Sequence, residues 1–258
     1  MTDRLTLALA QINPTVGDIR GNADRIRQAR RDAADRNVDL VVFPELVVCG
    51  YPPEDLVLKP FFLDTVEKAV NELTAETADG GPAMLVTAPW RVDGRAHNAA
   101  LLLEAGRIAA VRLKHDLPNY GVFDEKRVFA AGPMPGPVNF RGVRLGVAIC
   151  EDIWTPDVTE TLAESGAEIL VVPNGSPFET DKMDRRLNHA LSRVTETGLP
   201  LVYVNQVGGQ DELVFDGASF VIGADCALKA QAPSFVEHLM VTRWQRTAEG
   251  WTCSQAEI

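Results

Sequence analysis

Val143-Arg144-Leu145-Gly146-Val147-Ala148-Ile149 is an apolar run that stops at Cys150 and passes at once into Glu151-Asp152-Ile153-Trp154. Two other apolar runs stop in the same manner: residues 38–43 run into Pro44-Glu45, and residues 108–113 run into Lys114. Short apolar runs with abrupt polar ends read as strands covered on both faces. Each of these strands therefore ends on a chemically capable side chain: a carboxylate, an ammonium and a thiol. Ligands of layered α/β domains bind beyond the carboxyl ends of strands, so the three can meet at one sheet edge. A base, a cation and a nucleophile suffice to break an amide bond through a covalent intermediate.

The pattern around these runs is that of a layered domain. Residues 5–11 alternate as a strand, and residues 22–37 have helical spacing with Ile26, Ala29, Ala33 and Ala34 on one face. Further helices are predicted over residues 61–78, 158–165 and 184–197. Further strands are predicted over 84–89, 98–103, 168–172 and 201–205, with a hairpin turn at Glu104-Ala105-Gly106. Residues 115–137, rich in Pro, Gly and Asp, have no period, and a loop of that length inside a compact domain is usually functional. From residue 212 to 241 the pattern becomes short strands and turns. Two strand–helix–strand stretches with antiparallel additions predict one α/β domain with helices outside; no repeat or linker divides it.

Composition excludes several classes of function. The 258 residues, 46% hydrophobic and 24% charged, suit a soluble globular protein able to bury its own core. A net charge of −11 argues against nucleic-acid binding and against docking on anionic membranes. Cys49, Cys150, Cys226 and Cys253 form no CxxC pair, so no zinc or thioredoxin-type motif is expected. The amino-terminal MTDRLTLALAQ is strand-like rather than a signal peptide, and no apolar stretch reaches membrane-spanning length. A cytoplasmic protein with free thiols is the expectation.

Each candidate residue has a chemical and a plain reading. Cys150, between a strand and a helix, is expected on a sharp exposed turn where a thiolate can act; the alternative is a small buried hydrophobe. Glu45 follows Val41-Val42-Phe43-Pro44, a poorly solvated setting that suits a base; the alternative is a partner for a buried arginine or backbone amide. Lys114 can hold an oxyanion, or snorkel at the surface. A Cys–His pair would draw on His97, His115, His189 or His238, with His115 nearest the long loop. Asn174-Gly175-Ser176-Pro177 either lines a pocket or is a turn. There is no GxSxG and no Walker motif, and Gly208-Gly209-Gln210 is too short for a phosphate loop.

Three motifs together carry a family resemblance over nearly the whole chain. LVVFPELVVCGYP (40–52), RLKHDLPNYGVFDEKRVF (112–129) and LGVAICEDIW (145–154) resemble the glutamate, lysine and cysteine motifs of the nitrilase, or carbon–nitrogen hydrolase, superfamily. Three longer stretches, CGYPPEDLVLKPFF (49–62), LPNYGVFDEKRVF (117–129) and YVNQVGGQDELVFDGASF (203–220), resemble the glutamine-hydrolysing domains of glutamine-dependent NAD synthetases. The resemblance implies an α/β fold, a four-layer α-β-β-α sandwich. It implies Glu45 as general base, Lys114 as oxyanion stabiliser, Cys150 as nucleophile and Glu125 as a supporting carboxylate. Tyr51, Tyr120, Glu151 and Trp154 would shape the glutamine pocket, and Ser176 and Lys182 would hold the substrate's amino-acid end. His97 departs from the family pattern, which has an aromatic residue before Asn98.

The implied reaction hydrolyses L-glutamine to glutamate and ammonia through a Cys150 thioester, with no metal or organic cofactor. ATP and Mg belong to a synthetase domain that uses the ammonia to convert deamido-NAD to NAD. The motif of that domain, SGGxDS, does not occur here. The expectation is a single hydrolase domain over residues 1–258, partnered by the synthetase domain in cis or trans and forming homo-oligomers. A free-standing amidase or nitrilase acting on another small amide, and a non-catalytic module, are the competing expectations.

Overall fold

The structure is a computed structural model that describes residues 2–180 and 182–257. Met1, Asp181 and Ile258 lie outside the described residues, and with them both ends of the domain expected over residues 1–258. The chain begins with β1 (Arg4–Gln11), α1 (Ile19–Ala34), β2 (Leu40–Val42), α2 (Pro60–Glu76), β3 (Ala83–Val92), β4 (Arg95–Glu104) and β5 (Arg107–Leu113). It continues with α3 (Glu125–Val128), β6 (Val138–Phe140), β7 (Val143–Val147), α4 (Asp157–Glu164), β8 (Ile169–Asn174), α5 (Lys182–Thr197) and β9 (Leu201–Asn205). It closes with β10 (Val207–Gln210), β11 (Leu213–Asp216), β12 (Phe220–Ile222), β13 (Leu228–Gln231), β14 (His238–Thr247) and β15 (Gly250–Glu257).

Two sheets carry the fold. The first has order β15-β14-β1-β2-β3-β4-β5 and the second β13-β12-β9-β8-β7-β6. In each, three adjacent strands run parallel: β1, β2 and β3 in one, β7, β8 and β9 in the other. Antiparallel strands flank both triplets. Parallel neighbours need a crossover, and α1, α2, α4 and α5 supply it.

Side-chain alternation along each strand decides which layer it faces. In β1, Leu5, Leu7 and Leu9 point into the space between the sheets, whereas Ala8 and Ala10 join the cluster that includes Ile26 and Ala33 of α1 and Val70 and Leu73 of α2. In β8, Ile169 and Val171 face the first sheet, while Leu170 and Val172 meet Val158 and Leu162 of α4 and Ala190 and Val194 of α5. Helix, sheet, sheet and helix therefore stack in four layers, as the resemblance implies. Large side chains fill the sheet-to-sheet space, and alanines let α1 approach the strand closely.

Three sequence expectations need correction. The first helix starts three residues earlier than the spacing suggests, because Asp18 caps it by accepting from Gly21 N at 2.9 Å; Asn37, at φ 54°, lies beyond its end. The loop over residues 115–137 contains one helical turn, α3. The carboxyl-terminal region does not end in short strands at residue 241, because β14 and β15 form a long hairpin whose first strand pairs with β1 over eight residues. Alternation is faint in β15: Trp251 is its one fully buried residue. Among the described residues no helix is long and apolar enough to cross a membrane.

Trp251 and Trp244 bring the hairpin into the sheet-to-sheet core, each 2% exposed. Trp251→Ala is expected to lower unfolding free energy by about 3–5 kcal/mol, as truncation of a buried aromatic does. Urea unfolding followed by far-UV circular dichroism measures this; a loss within error would mean that β15 adds nothing to the core.

Candidate active site

Glu45, Lys114 and Cys150 sit just past the ends of β2, β5 and β7, and all three are buried. The turn carrying Glu45 is pinned from two sides. The Thr87 hydroxyl donates to Pro44 O and accepts from Val47 N, and Glu45 N donates to Asn174 O at 3.1 Å. Lys114 is held on its own sheet, donating from its N to Asn98 O at 2.8 Å and accepting at its O from Gly132 N at 2.7 Å. Cys150 opens a single 3₁₀ turn, Cys150–Ile153, with a φ of 47°. A left-handed cysteine at a strand-to-helix turn is a costly conformation that surrounding structure must impose. The thiol is not on an exposed turn as its position suggested: Cys150 is 4% exposed and joins the sheet-to-sheet core.

The ammonium of Lys114 is the centre of the site. Its Nζ donates to Glu45 Oε1 at 2.6 Å and to Glu125 Oε1 and Oε2 at 2.8 and 3.0 Å. Burial alone pulls this ammonium toward its neutral form, but the charges of Glu125, Glu45 and Cys150 outweigh it and hold the pKa well above the usual lysine range. Glu125, which opens α3, is pushed up to about 7 by burial, pulled down by Lys114 and pushed up again by Glu45. The Cys150 thiol is pushed well above its ordinary range by burial and by Glu45, with Lys114 opposing and Glu151 and Glu125 adding to the rise. The sulfur thus stands within the field of the lysine and three carboxylates, and burial together with those carboxylates favours its protonated form.

The other expected site residues gather around this centre. Tyr51 is buried and donates from its hydroxyl to Glu125 Oε1 at 2.9 Å, so it braces the supporting carboxylate. Tyr120, half exposed, donates to Glu151 with both carboxylate oxygens at 3.0 Å. Tyr120 packs edge-on against Phe123 at 5.5 Å, and Phe123 in turn lies beside Tyr51. Lys182 Nζ sits 5.3 Å from the Trp154 ring centroid and 5.9 Å from that of Phe123, and pairs with Glu179 at 2.9 Å. Ser176 accepts from Arg186 Nε at its Oγ, 3.0 Å away. Tyr120 and Glu151 also line an open cleft of about 660 Å³ with His115, Asp116 and Pro118. Glu151 stands at the edge of this cleft, whereas the buried Lys182, paired with Glu179, is not among its lining residues.

The histidine alternative has no support in the geometry. His115 Nδ1 lies 2.8 Å from Gly132 O and His189 packs on Trp154, with ring centroids 4.2 Å apart; no hydrogen bond joins a histidine to Cys150 among the described residues.

Several residues that hold the site escaped the sequence reading. Asn98 Nδ2 donates to Glu45 Oε1 at 2.7 Å; Gly175 N, in the 174–177 segment that the sequence offers as pocket lining or turn, donates to Glu45 Oε2 at 3.0 Å. Arg186, 1% exposed, donates to Asp216 and to the carbonyls of Ser176 and Pro177, fixing the 174–178 turn. Asn98 had one readable signal, a polar residue inside an otherwise apolar strand.

The chain belongs to the carbon–nitrogen hydrolase family, whose model matches residues 6–251. It is 45% identical over 258 residues to the glutamine-dependent NAD(+) synthetase of Rhodobacter capsulatus, covering all of this chain and 47% of that protein. The fold is similar to the glutamine-dependent NAD+ synthetase of Acinetobacter baumannii, with a TM-score of 0.92 and 36% identity over 99% of this chain and 48% of that one. It is also similar to an amidase of Nesterenkonia sp. AN1, with a TM-score of 0.80 and 26% identity over 92% of both chains; that structure has acrylamide added at its active-site cysteine. The chain spans about half the length of the curated relatives it matches.

Two predictions follow from the geometry around Glu45 and Glu125. A Cβ at Gly175 would lie 2.9 Å from Tyr51 Cγ and 3.3 Å from Glu45 Oε2, closer than packed side chains tolerate. Gly175→Ala is therefore expected to destabilise by about 1–3 kcal/mol, read from the urea midpoint, and to slow amide hydrolysis by displacing Glu45. Glu125 concerns pH: its proton is held to about 7 in the fold but only to about 4.5 when unfolded. Across that window the native state binds more protons, so this residue's contribution to stability falls as pH rises. Glu125→Gln is expected to flatten the urea-midpoint profile between those pH values; an unchanged slope would exclude the effect.

Proposed function

We propose that this chain is a single glutaminase domain, the glutamine-hydrolysing half of a glutamine-dependent NAD synthetase. The observation that carries the reading is the buried Glu45–Lys114–Glu125 cluster beside Cys150, in a chain whose whole length aligns with about half of such a synthetase. In this reading Glu45 takes the thiol proton as Cys150 attacks the side-chain carboxamide carbon of L-glutamine. The raised thiol pKa favours proton transfer concerted with attack over a standing thiolate. Lys114 and the backbone N–H of Glu151 stabilise the oxyanion. The carbon–nitrogen bond then breaks and ammonia leaves with a proton from Glu45. Water, deprotonated by Glu45, hydrolyses the thioester and releases glutamate.

Glu151 and Tyr120 face the substrate's ammonium, and Lys182 with Ser176 its carboxylate, while Trp154 covers the chain between them. No metal takes part in this half-reaction. The ammonia is consumed by an ATP- and Mg-dependent synthetase domain acting on deamido-NAD, in cis or in trans, and the chain acts as a homo-oligomer in the cytoplasm. The Nesterenkonia amidase, similar over 92% of both chains, supports a second reading as an amidase of another small amide.

A coupled glutamate assay tests the first reading. Glutamine should yield glutamate and ammonia, Cys150→Ala and Glu45→Gln should each lose at least about 1,000-fold in kcat, and mass spectrometry should find a glutamyl adduct on Cys150. Rapid turnover of simple aliphatic amides with none of glutamine would instead favour the second.

A further inference from the structure

We propose that Asp152 is a positioning residue that ties the Cys150 elbow to the Lys114 turn and so sets the distance across which the oxyanion is held. The inference rests on the reading of Cys150 as nucleophile and Lys114 as oxyanion donor. The two residues arrive on different sheets, Lys114 at the end of β5 and Cys150 beyond β7. The space between the sheets is filled by aliphatic and aromatic side chains, whose attraction is non-directional and does not fix one backbone against another to a fraction of an ångström.

Asp152 crosses that boundary with hydrogen bonds. Its Oδ2 accepts from Ile149 N, the residue before the nucleophile, at 2.9 Å. Its Oδ1 accepts from His115 N at 3.1 Å and Asp116 N at 2.8 Å, the two residues after the lysine. One carboxylate thus grips the backbone immediately beside each catalytic side chain.

Charge pairing does not account for it. Asp152 is 1% exposed, and no cation forms an ion pair with it among the described residues. A buried carboxylate of this kind costs free energy, and burial pushes its pKa up to about 6 against the pull of the backbone N–H groups of Asp116 and Ile149. What it provides is acceptor capacity on both oxygens. Asparagine has the same shape but only one acceptor oxygen, so its amide must turn N–H toward either Ile149 N or the 115–116 pair.

The test is Asp152→Asn in the full-length protein, with three readouts. Loss of registry by a fraction of an ångström should lower kcat for glutamine about 100-fold and change KM less than about threefold. The rate of Cys150 alkylation by iodoacetamide, a displacement that forms no oxyanion, should stay within about threefold of wild type. Amide hydrogen exchange at Ile149, His115 or Asp116 should accelerate about tenfold while β7 keeps its protection. Alkylation and kcat falling by the same factor, or an unchanged kcat, would overturn the role. If the wild type itself does not turn glutamine over, the functional reading fails, and the exchange measurement still decides whether the clip exists: unchanged protection at all three amides rejects it. Asp152→Glu, which keeps two acceptor oxygens on a longer stem, provides a folded alternative expected to show the same split between kcat and alkylation. If circular dichroism shows both variants unfolded, Asp152 is a folding requirement and the positioning role falls.

Discussion

One ammonium organises the centre of this molecule. Lys114 Nζ is completely buried with two carboxylates in hydrogen-bond contact, on segments 69 and 11 residues away in sequence. An isolated charge at such depth would cost far more than a domain's whole stability margin, so the three groups are admissible only together. Removing the lysine would leave two buried carboxylates without their cation, a loss of the kind that typically costs about 3–5 kcal/mol. The strand ends that carry Glu45 and Lys114, and the loop that carries Glu125, are thereby committed to one another before any substrate arrives. Even so, two carboxylates against one lysine leave an excess of negative charge, and Glu125's high proton affinity is the consequence.

The second constraint is geometric. The four layers follow from apolar alternation alone, and apolar packing tolerates sliding. Chemistry at the boundary of two sheets does not. Polar links cross that boundary where the functional side chains emerge: Glu45 N to Asn174 O, Gly175 N to Glu45 Oε2, and the contacts of Asp152 to Ile149, His115 and Asp116. Gly175 belongs to the same logic from the steric side, because a side chain there would occupy the space of Tyr51 and Glu45.

This division explains what was legible in the sequence. Strand ends at Glu45, Lys114 and Cys150 could be read because each closes an apolar run, a local signal. Family motifs then supplied Glu125, Tyr51 and Tyr120, which no periodicity marks; Glu125 meets the lysine, Tyr51 braces Glu125, and Tyr120 bonds Glu151 further out. What could not be read were partners fixed by distance in space alone: Asn98 on Glu45, Arg186 on Asp216 and the 174–178 turn, Asp152 on the lysine loop. Such bonds join residues up to 53 positions apart and leave no local pattern. The β14–β15 hairpin was lost for a different reason: half of its outer strand is exposed and Trp251 alone is buried, so its alternation is too weak to register. Cys150 was placed correctly at the end of its strand but wrongly in solvent, because chain position says nothing about what packs over a turn.

The burial of that thiol shapes the chemistry open to it. Burial and the charges of Glu45, Glu151 and Glu125 all disfavour a thiolate, and Lys114 alone among the strongest influences favours it. Glu151 is itself half-buried and raised by burial, held to Tyr120 rather than to a cation. A positively charged group seated against Glu151 would cancel one of the charges that keep the sulfur protonated. The ammonium of an amino-acid substrate would then do more than anchor the ligand, since the same contact makes the neighbouring thiol easier to ionise.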